Sequence, residues 1–348
     1  MQMNQLGRTG IEISELCLGT MTWGTQTPEI DAHSQIDMAL EHGVNMIDTA
    51  EMYPTNPLSA QTQGDTERVI GTWLAKNKAR RGDILLATKV SGAGYKNVRD
   101  GAPISRQTIE IAVENSLKSL QTDYIDLYQL HWPNRGSYMF RQNWEFDPST
   151  QSKPETLAHM QEVLETLQGL VTAGKIRHFG LSNESAWGTS QWLRLSEDMN
   201  LPRVVSMQNE YSLMCRLFDT DMAELAHNED VGLLAFSPLA AGLLSGKYQG
   251  DVTPAGSRRS HVLDLGGRIT PRTLPAVGAY LQVAQKHGLD PCQMALAWCR
   301  TRPFMASAIF GATTQDQLKI ALASVEVKLS DEVLADLQLV HKAHPMPY

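Results

Sequence analysis

The sequence has no apolar run approaching the ~20 residues that a membrane-crossing helix needs, and its start, MQMNQLGRTGIEIS, shows no long apolar core behind a basic leader. These absences point to a cytoplasmic protein. Positive charge is not in excess either. A formal net charge of -8 and a pI near 5.7 argue against a general binder of nucleic acid or anionic membranes, while leaving a small anionic ligand open. Cysteine is scarce: Cys17, Cys215, Cys292 and Cys299 show neither CxxC nor zinc-knuckle spacing, so no disulfide framework or structural metal is expected. HxH and HExxH pairs are missing, which disfavours a metal-dependent barrel hydrolase using Asp48, Glu51, His131 and Glu210. No proline-rich or low-complexity linker divides the chain, so residues 1–348 read as one domain.

Nucleotide fingerprints of the common kinds are also absent. GAGYKN (Gly92 to Asn97) lacks the final glycine of a dinucleotide-binding turn and does not lead directly into a helix. The SGK of LLSGKY is no phosphate-binding loop, since Tyr248 stands where Ser or Thr should bind magnesium and Ala241 where the first glycine should be.

What is present is alternation. Short apolar runs (ELCLGT, NMID, ILLATK, YIDLYQLH, IRHFGLS, VVSMQNE, GLLAFS, ASAIFGA) are separated by longer segments of helical period. In SRQTIEIAVENSLKSL the apolar positions Ile109, Ala112, Val113, Leu117 and Leu120 recur three and four apart. Asp65 and Ser105 are candidate helix N-caps, and Gly43, Gly174 and Gly288 fall where a left-handed residue ends a helix. Eight strand-helix units predict an α/β fold, a closed (β/α)8 TIM barrel. NQLGRTGIEI reads as an N-terminal β-hairpin placed to plug the barrel floor. Asn134 to Lys153 and Gly250 to Arg272 are long polar connections expected over the functional, C-terminal face. An amphipathic helix near Ser330 to Lys342 precedes the tail HPMPY.

In such a barrel the functional residues stand at the C-terminal strand ends. These are Asp48, Lys89, His131, Ser182 with Asn183, Gln208 and Ser237, with Tyr53 a few residues into the loop after Asp48. A carboxylate at the mouth of a buried strand needs a partner, and Lys89 offers one. A charged lysine beside Tyr53 would lower the phenol's pKa toward a usable acid, and His131 could donate to the same carbonyl oxygen. Singly, each residue has an ordinary explanation as a cap, a solvated cation or a structural histidine. The joint pattern carries the functional reading.

The chain resembles the aldo-keto reductases, especially the bacterial Tas-type branch related to potassium-channel β subunits. The resemblance runs through LGTMTWG, IDTAEMY, the TK of Thr88 and Lys89, DLYQLHWP, GKIRHFGLSN, QNEYSL, FSPLAAGLLSGKY and GAT. It implies an NADPH-dependent reductase of aldehydes or ketones in which Tyr53 is the general acid, Lys89 lowers its pKa, Asp48 holds Lys89, and His131 helps bind the carbonyl oxygen. By the same resemblance Ser182, Asn183 and Gln208 would hold the nicotinamide carboxamide and Phe236 would stack on the ring. The stretch from Ser237 through Leu239 and Gly242 to Leu244 would wrap the pyrophosphate, with Lys247 nearby. Arg258 is the expected reader of the 2′-phosphate, with Arg259 as alternative. Gly311, Thr313 and Gln317 match positions toward the adenosine end, whereas Ile320 and Ala321 replace the polar pair usual at the adenine. Trp23 and Trp132 are expected to line a pocket for a small carbonyl substrate, or else to close the top of the core. A second reading implied by the channel relationship is an NADP(H)-binding sensor with slow turnover. Neither a nucleic-acid nor a membrane partner is expected.

Overall fold

Strand and helix alternate as the apolar periodicity dictates, and the computed structural model describes every residue, 1–348. A two-stranded antiparallel hairpin of β1 (Met3–Gln5) and β2 (Glu12–Ser14) comes first. Eight parallel strands follow: β3 (Leu16–Gly19), β4 (Met46–Asp48), β5 (Leu85–Val90), β6 (Ile125–Leu130), β7 (Ile176–Ser182), β8 (Val204–Gln208), β9 (Gly232–Phe236) and β10 (Met305–Phe310). They close in sequence order, β10 pairing with both β9 and β3. This is the predicted (β/α)8 TIM barrel, and each predicted apolar run supplies one strand. The helices are α1 (Glu29–Glu41), α2 (Asp65–Lys76), α3 (Arg106–Leu120), α4 (Lys153–Thr172), α5 (Ala186–Met199), α6 (Asp221–Glu229), α7 (Arg258–His261), α8 (Thr273–Lys286), α9 (Pro291–Arg300), α10 (Gln315–Ala323) and α11 (Asp331–Ala343). None is long and apolar enough to cross a membrane.

Local signals behave as the chemistry requires. Ser105 caps α3 in a reciprocal capping box with Thr108, and Ile109, Ala112, Val113 and Leu120 are buried against the barrel. Gly43, Gly174 and Gly288 all take positive φ just past helix ends. Asp65, expected as a cap, is instead the first residue of α2. Gly64 takes the cap position with φ of 79°, and the Asp65 carboxylate favours the helix start through the macrodipole.

The hairpin seals the floor. Leu6 and Ile13 are fully buried among Cys17, Met46, Leu127, Val205 and Leu234, inside the barrel, each worth roughly 1.5–3 kcal/mol of burial. Asn45 pins it from outside, accepting from the Ser14 N–H at 2.8 Å and donating to the Glu12 carbonyl at 3.0 Å. Above this apolar floor the interior turns polar. That layer holds the site.

Candidate active site

Alternation along β5 turns Lys89 into the barrel and Thr88 out of it, where the Thr88 hydroxyl donates to Glu67 at 2.6 Å. The Lys89 side chain is fully buried, and its ammonium donates to Asp48 Oδ2 at 2.6 Å and the Thr49 carbonyl at 2.7 Å. The ammonium stands 5.1 Å from the Tyr53 ring centroid. Burial pulls the Lys89 pKa down, but Asp48 and Tyr53 more than reverse this, so the lysine is firmly charged.

The other Asp48 oxygen is equally occupied. Gln129 Nε2 donates to Oδ1 at 3.0 Å and Gln208 Nε2 at 2.8 Å, and Gln208 also donates to Gln129 Oε1 at 3.0 Å. Gln208, expected to face a carboxamide, therefore also braces Asp48. Gln129 was not anticipated, although a signal existed: it lies on β6 two residues before His131, which directly follows the strand, and so falls on the same inward-facing alternation.

Tyr53 corrects a second expectation. Lys89 pulls the phenol pKa down by its charge, as anticipated, but burial is the larger influence and the net shift is upward. A largely buried phenol loses more by shedding the hydration of its anion than one ammonium returns. Beside it, His131 packs edge-on at 5.9 Å between ring centroids, and Trp132 lies 4.9 Å beyond. Burial, then the Lys89 charge, holds the His131 pKa well below its usual value, so the imidazole is neutral. Its Nδ1 is buried without a protein partner.

The two tryptophans part company. Trp132 borders the site, its indole N–H fixed to the Ala93 carbonyl at 3.0 Å. Trp23 does not line a pocket: it is fully buried in the helix-facing core, and its N–H donates to Gln35 of α1 at 3.2 Å. The turn explains this, because the Trp23 amide bonds back to Thr20 and Thr66 of α2 takes its carbonyl, folding the ring under the loop.

Ser182, Asn183 and Gln208 meet at the ends of β7 and β8. Ser182 Oγ donates to the Gln208 carbonyl at 2.8 Å, and Asn183, at φ of 55°, donates to the His131 carbonyl at 2.9 Å and leaves Oδ1 unpaired. After β9 the chain passes Phe236, whose backbone pairs with Asn209 and Tyr211, then enters positive φ at Ser237, Ala240, Ala241 and Gly242. Leu239 anchors the turn by accepting from the amides of Gly242 and Leu244. A Cβ at Gly242 would meet the Lys247 ammonium at 3.0 Å, so that amine lies over the turn. At the neighbouring end of β10, Gly311 approaches Gly19, and Thr313 donates through its amide and hydroxyl to Gln317. Ile320 is exposed and Ala321 buried.

Arg258 and Arg259 differ in availability. Arg259 is consumed by Asp251 and the Val252 and Leu263 carbonyls. The Arg258 side chain forms no ion pair or hydrogen bond; burial, with Arg268 assisting, brings its pKa down to about 10, and its charge reaches Tyr248 and Tyr53. The carboxylates of the alternative metal reading are already engaged, Asp48 by Lys89 and the two glutamates by arginines. Glu51 is held by Arg99, while Glu210 takes Arg141 and Arg268, each at 2.8 Å, and the Tyr348 hydroxyl at 3.3 Å. Glu210 thereby gathers both long loops and the tail at the barrel mouth.

The Aldo/keto reductase family profile matches residues 15–342. The chain belongs to the aldo/keto reductase family. Protein tas of Escherichia coli (strain K12) is 43% identical across 100% of this chain and 99% of its own length. The uncharacterized oxidoreductase YrpG of Bacillus subtilis (strain 168) is 33% identical over 96% of the chain and 94% of its own. A probable voltage-gated potassium channel subunit beta of Arabidopsis thaliana is 28% identical over 99% and 98%. This aldo/keto reductase is thus an oxidoreductase of a family that uses a nicotinamide cofactor and acts on small molecules. Its residues fit such a cofactor. His131 Nδ1, Asn183 Oδ1, the Tyr248 hydroxyl and Arg258 Nε are buried without partners, and the Lys247 ammonium over the turn supplies a donor for phosphate.

Proposed function

We propose that this aldo/keto reductase is an NADPH-dependent carbonyl reductase, one domain spanning residues 1–348 and working in the cytoplasm, which converts aldehydes or reactive ketones to alcohols. One observation carries the reading: a fully buried lysine, held charged by Asp48, lies against the ring of Tyr53 and beside a neutral His131. NADPH, when bound, supplies a hydride from C4 of its nicotinamide. The protein's part is the proton. Tyr53 gives its hydroxyl proton to the carbonyl oxygen, and Lys89 stabilises the phenolate left behind. Asp48, braced by Gln129 and Gln208, keeps Lys89 charged and in place. His131, which does not titrate near neutrality, orients the same oxygen by hydrogen bond. Trp132 offers an aromatic wall that favours apolar or aromatic carbonyl compounds.

For the cofactor, Ser182, Asn183 and Gln208 hold the carboxamide and Phe236 stacks on the ring. Ser237, Leu239, Gly242 and Lys247 receive the pyrophosphate, Arg258 the 2′-phosphate, and Gly311, Thr313 and Gln317 the adenosine end. Holding ring and carbonyl together removes much of the entropic barrier to the reaction.

The test is a fluorescence titration with NADPH and NADH, followed by a panel of aldehydes and ketones, on the natural chain and on Tyr53→Phe. Oxidation of NADPH by a panel member, lost in Tyr53→Phe with cofactor affinity retained, is the expected result. Equal activity in the mutant removes Tyr53 from the mechanism. Tight binding without turnover favours the sensor.

A further inference from the structure

The catalytic tyrosine of this reading sits on irregular chain. Residues 49–64 contain no helix or strand, yet a proton donor works only if held within about 0.5 Å of its productive position. The contacts that hold it converge on Glu51. Its amide donates to the Lys89 carbonyl at 3.2 Å, and its carboxylate accepts the Ser91 amide at 2.6 Å, so it grips the strand end that carries Lys89. The Glu51 carbonyl accepts from Gln63 at 2.7 Å, and the next residue, Gly64, donates to the Tyr53 carbonyl at 2.9 Å.

Glu51 is buried and requires a counter-charge, which Arg99 supplies through two parallel bonds of 2.6 and 2.7 Å. Arg99 comes from the connection between β5 and α3, where it and Asp100 take φ of 45° and 54°. Two adjacent non-glycine residues in this region are strained and persist only where their surroundings impose them. The bond to Glu51 is such an imposition.

We propose that Glu51 and Arg99 form a positioning clamp that keeps the Tyr53 turn in register with Lys89, so that phenol and ammonium stay together through turnover. The clamp rests on the reductase reading for its kinetic consequence but not for its mechanical one. Neither residue touches substrate or cofactor in this scheme; both act through Tyr53.

The test uses the charge-neutral double variant Glu51→Gln with Arg99→Met, beside Arg99→Lys. Hydrogen exchange is followed over residues 49–66, together with kcat, KM for one reduced carbonyl, NADPH affinity and the pH profile of kcat. In the double variant, exchange over 49–66 rises while the barrel strands keep their protection. Its kcat falls ~10-fold, with KM and NADPH affinity within ~2-fold of the parent. The alkaline limb of the profile moves upward because the phenol loses part of the pull of Lys89. Arg99→Lys, which restores the charge without the fork, recovers part of the loss. Unchanged exchange over 49–66 overturns the clamp. So does a loss of kcat matched by equal loss of cofactor affinity and by exchange throughout the barrel, because the pair would then serve the whole fold. If the natural chain reduces no carbonyl while the exchange result holds, the reductase reading falls and the mechanical clamp stands.

Discussion

Glu67 gives a prediction whose size follows directly from the structure. It lies on α2 with its carboxyl buried behind β5, receiving the Thr88 hydroxyl at 2.6 Å. Burial pushes its pKa from 4.5 up to about 7, and the hydrogen bond from Thr88 offsets this only in part. A folded-state pKa raised in this way means that the fold favours the protonated acid. The contribution to stability is full below pH 4.5, declines as the unfolded chain ionises, and is lost by about pH 7. At about 1.4 kcal/mol for each pH unit, the penalty above neutrality is about 3 kcal/mol. Glu67→Gln keeps an acceptor for Thr88 and cannot ionise, so it stabilises the protein at pH 8 by about this amount and leaves it nearly unchanged at pH 4.5. With about 2.1 cal/mol/K of unfolding entropy per residue, the gain is a rise in Tm of about 4 °C. Thermal or urea unfolding of both proteins from pH 4.5 to 9 measures it. No gain at pH 8, or the same gain at both ends of the range, would refute the assignment of a buried, protonated carboxyl.

Arg258→Ala should weaken NADPH far more than NADH in the fluorescence titration; equal weakening shows that Arg258 does not read the 2′-phosphate, and a rise confined to the carbonyl KM places it at the substrate instead. Gln129→Leu removes a buried donor from Asp48 and an acceptor from Gln208, at a cost of about 1–3 kcal/mol in urea unfolding together with a lower kcat. Lys89→Met leaves Asp48 buried without its cation, which should cost about 3–5 kcal/mol of stability and abolish reduction; retained turnover would exclude Lys89 as the source of phenol activation. Because burial and Lys89 keep His131 neutral, the pH profile of kcat should show no inflection from it between pH 6.5 and 8, and an inflection removed by His131→Gln would contradict this.

Much of the architecture was legible because it is encoded over short distances. ILLATK and YIDLYQLH became β5 and β6 since an apolar run of this length, bounded by helical segments, has few other ways to bury itself. Ser105 and the glycines after α1, α4 and α8 acted through hydrogen bonds and φ values confined to one turn. Asp48, Lys89 and His131 stood out as polar residues at apolar strand ends. Trp23 was misplaced because its direction depends on α1 and α2, which supply Gln35 and Thr66 to receive it. Gln129 had a period-two signal but no visible partner, since Gln208 lies 79 residues further along.

The sequence by itself determined the order of strands and helices, the hairpin, the inward face of each strand and the chemical types offered at the barrel mouth. All of these follow from propensity, period and local capping. The tertiary structure alone decided which of those groups meet and in what medium. Barrel closure brings Asp48, Lys89, Gln129 and Gln208 from four strands into one hydrogen-bonded set, and sets Glu210 between two loops and the tail. Burial then decides protonation: it raises Tyr53 despite the adjacent lysine, keeps His131 neutral and pushes Glu67 up to about 7. Pairing and desolvation depend on distances between residues remote in the chain, and those distances exist only once the barrel has closed.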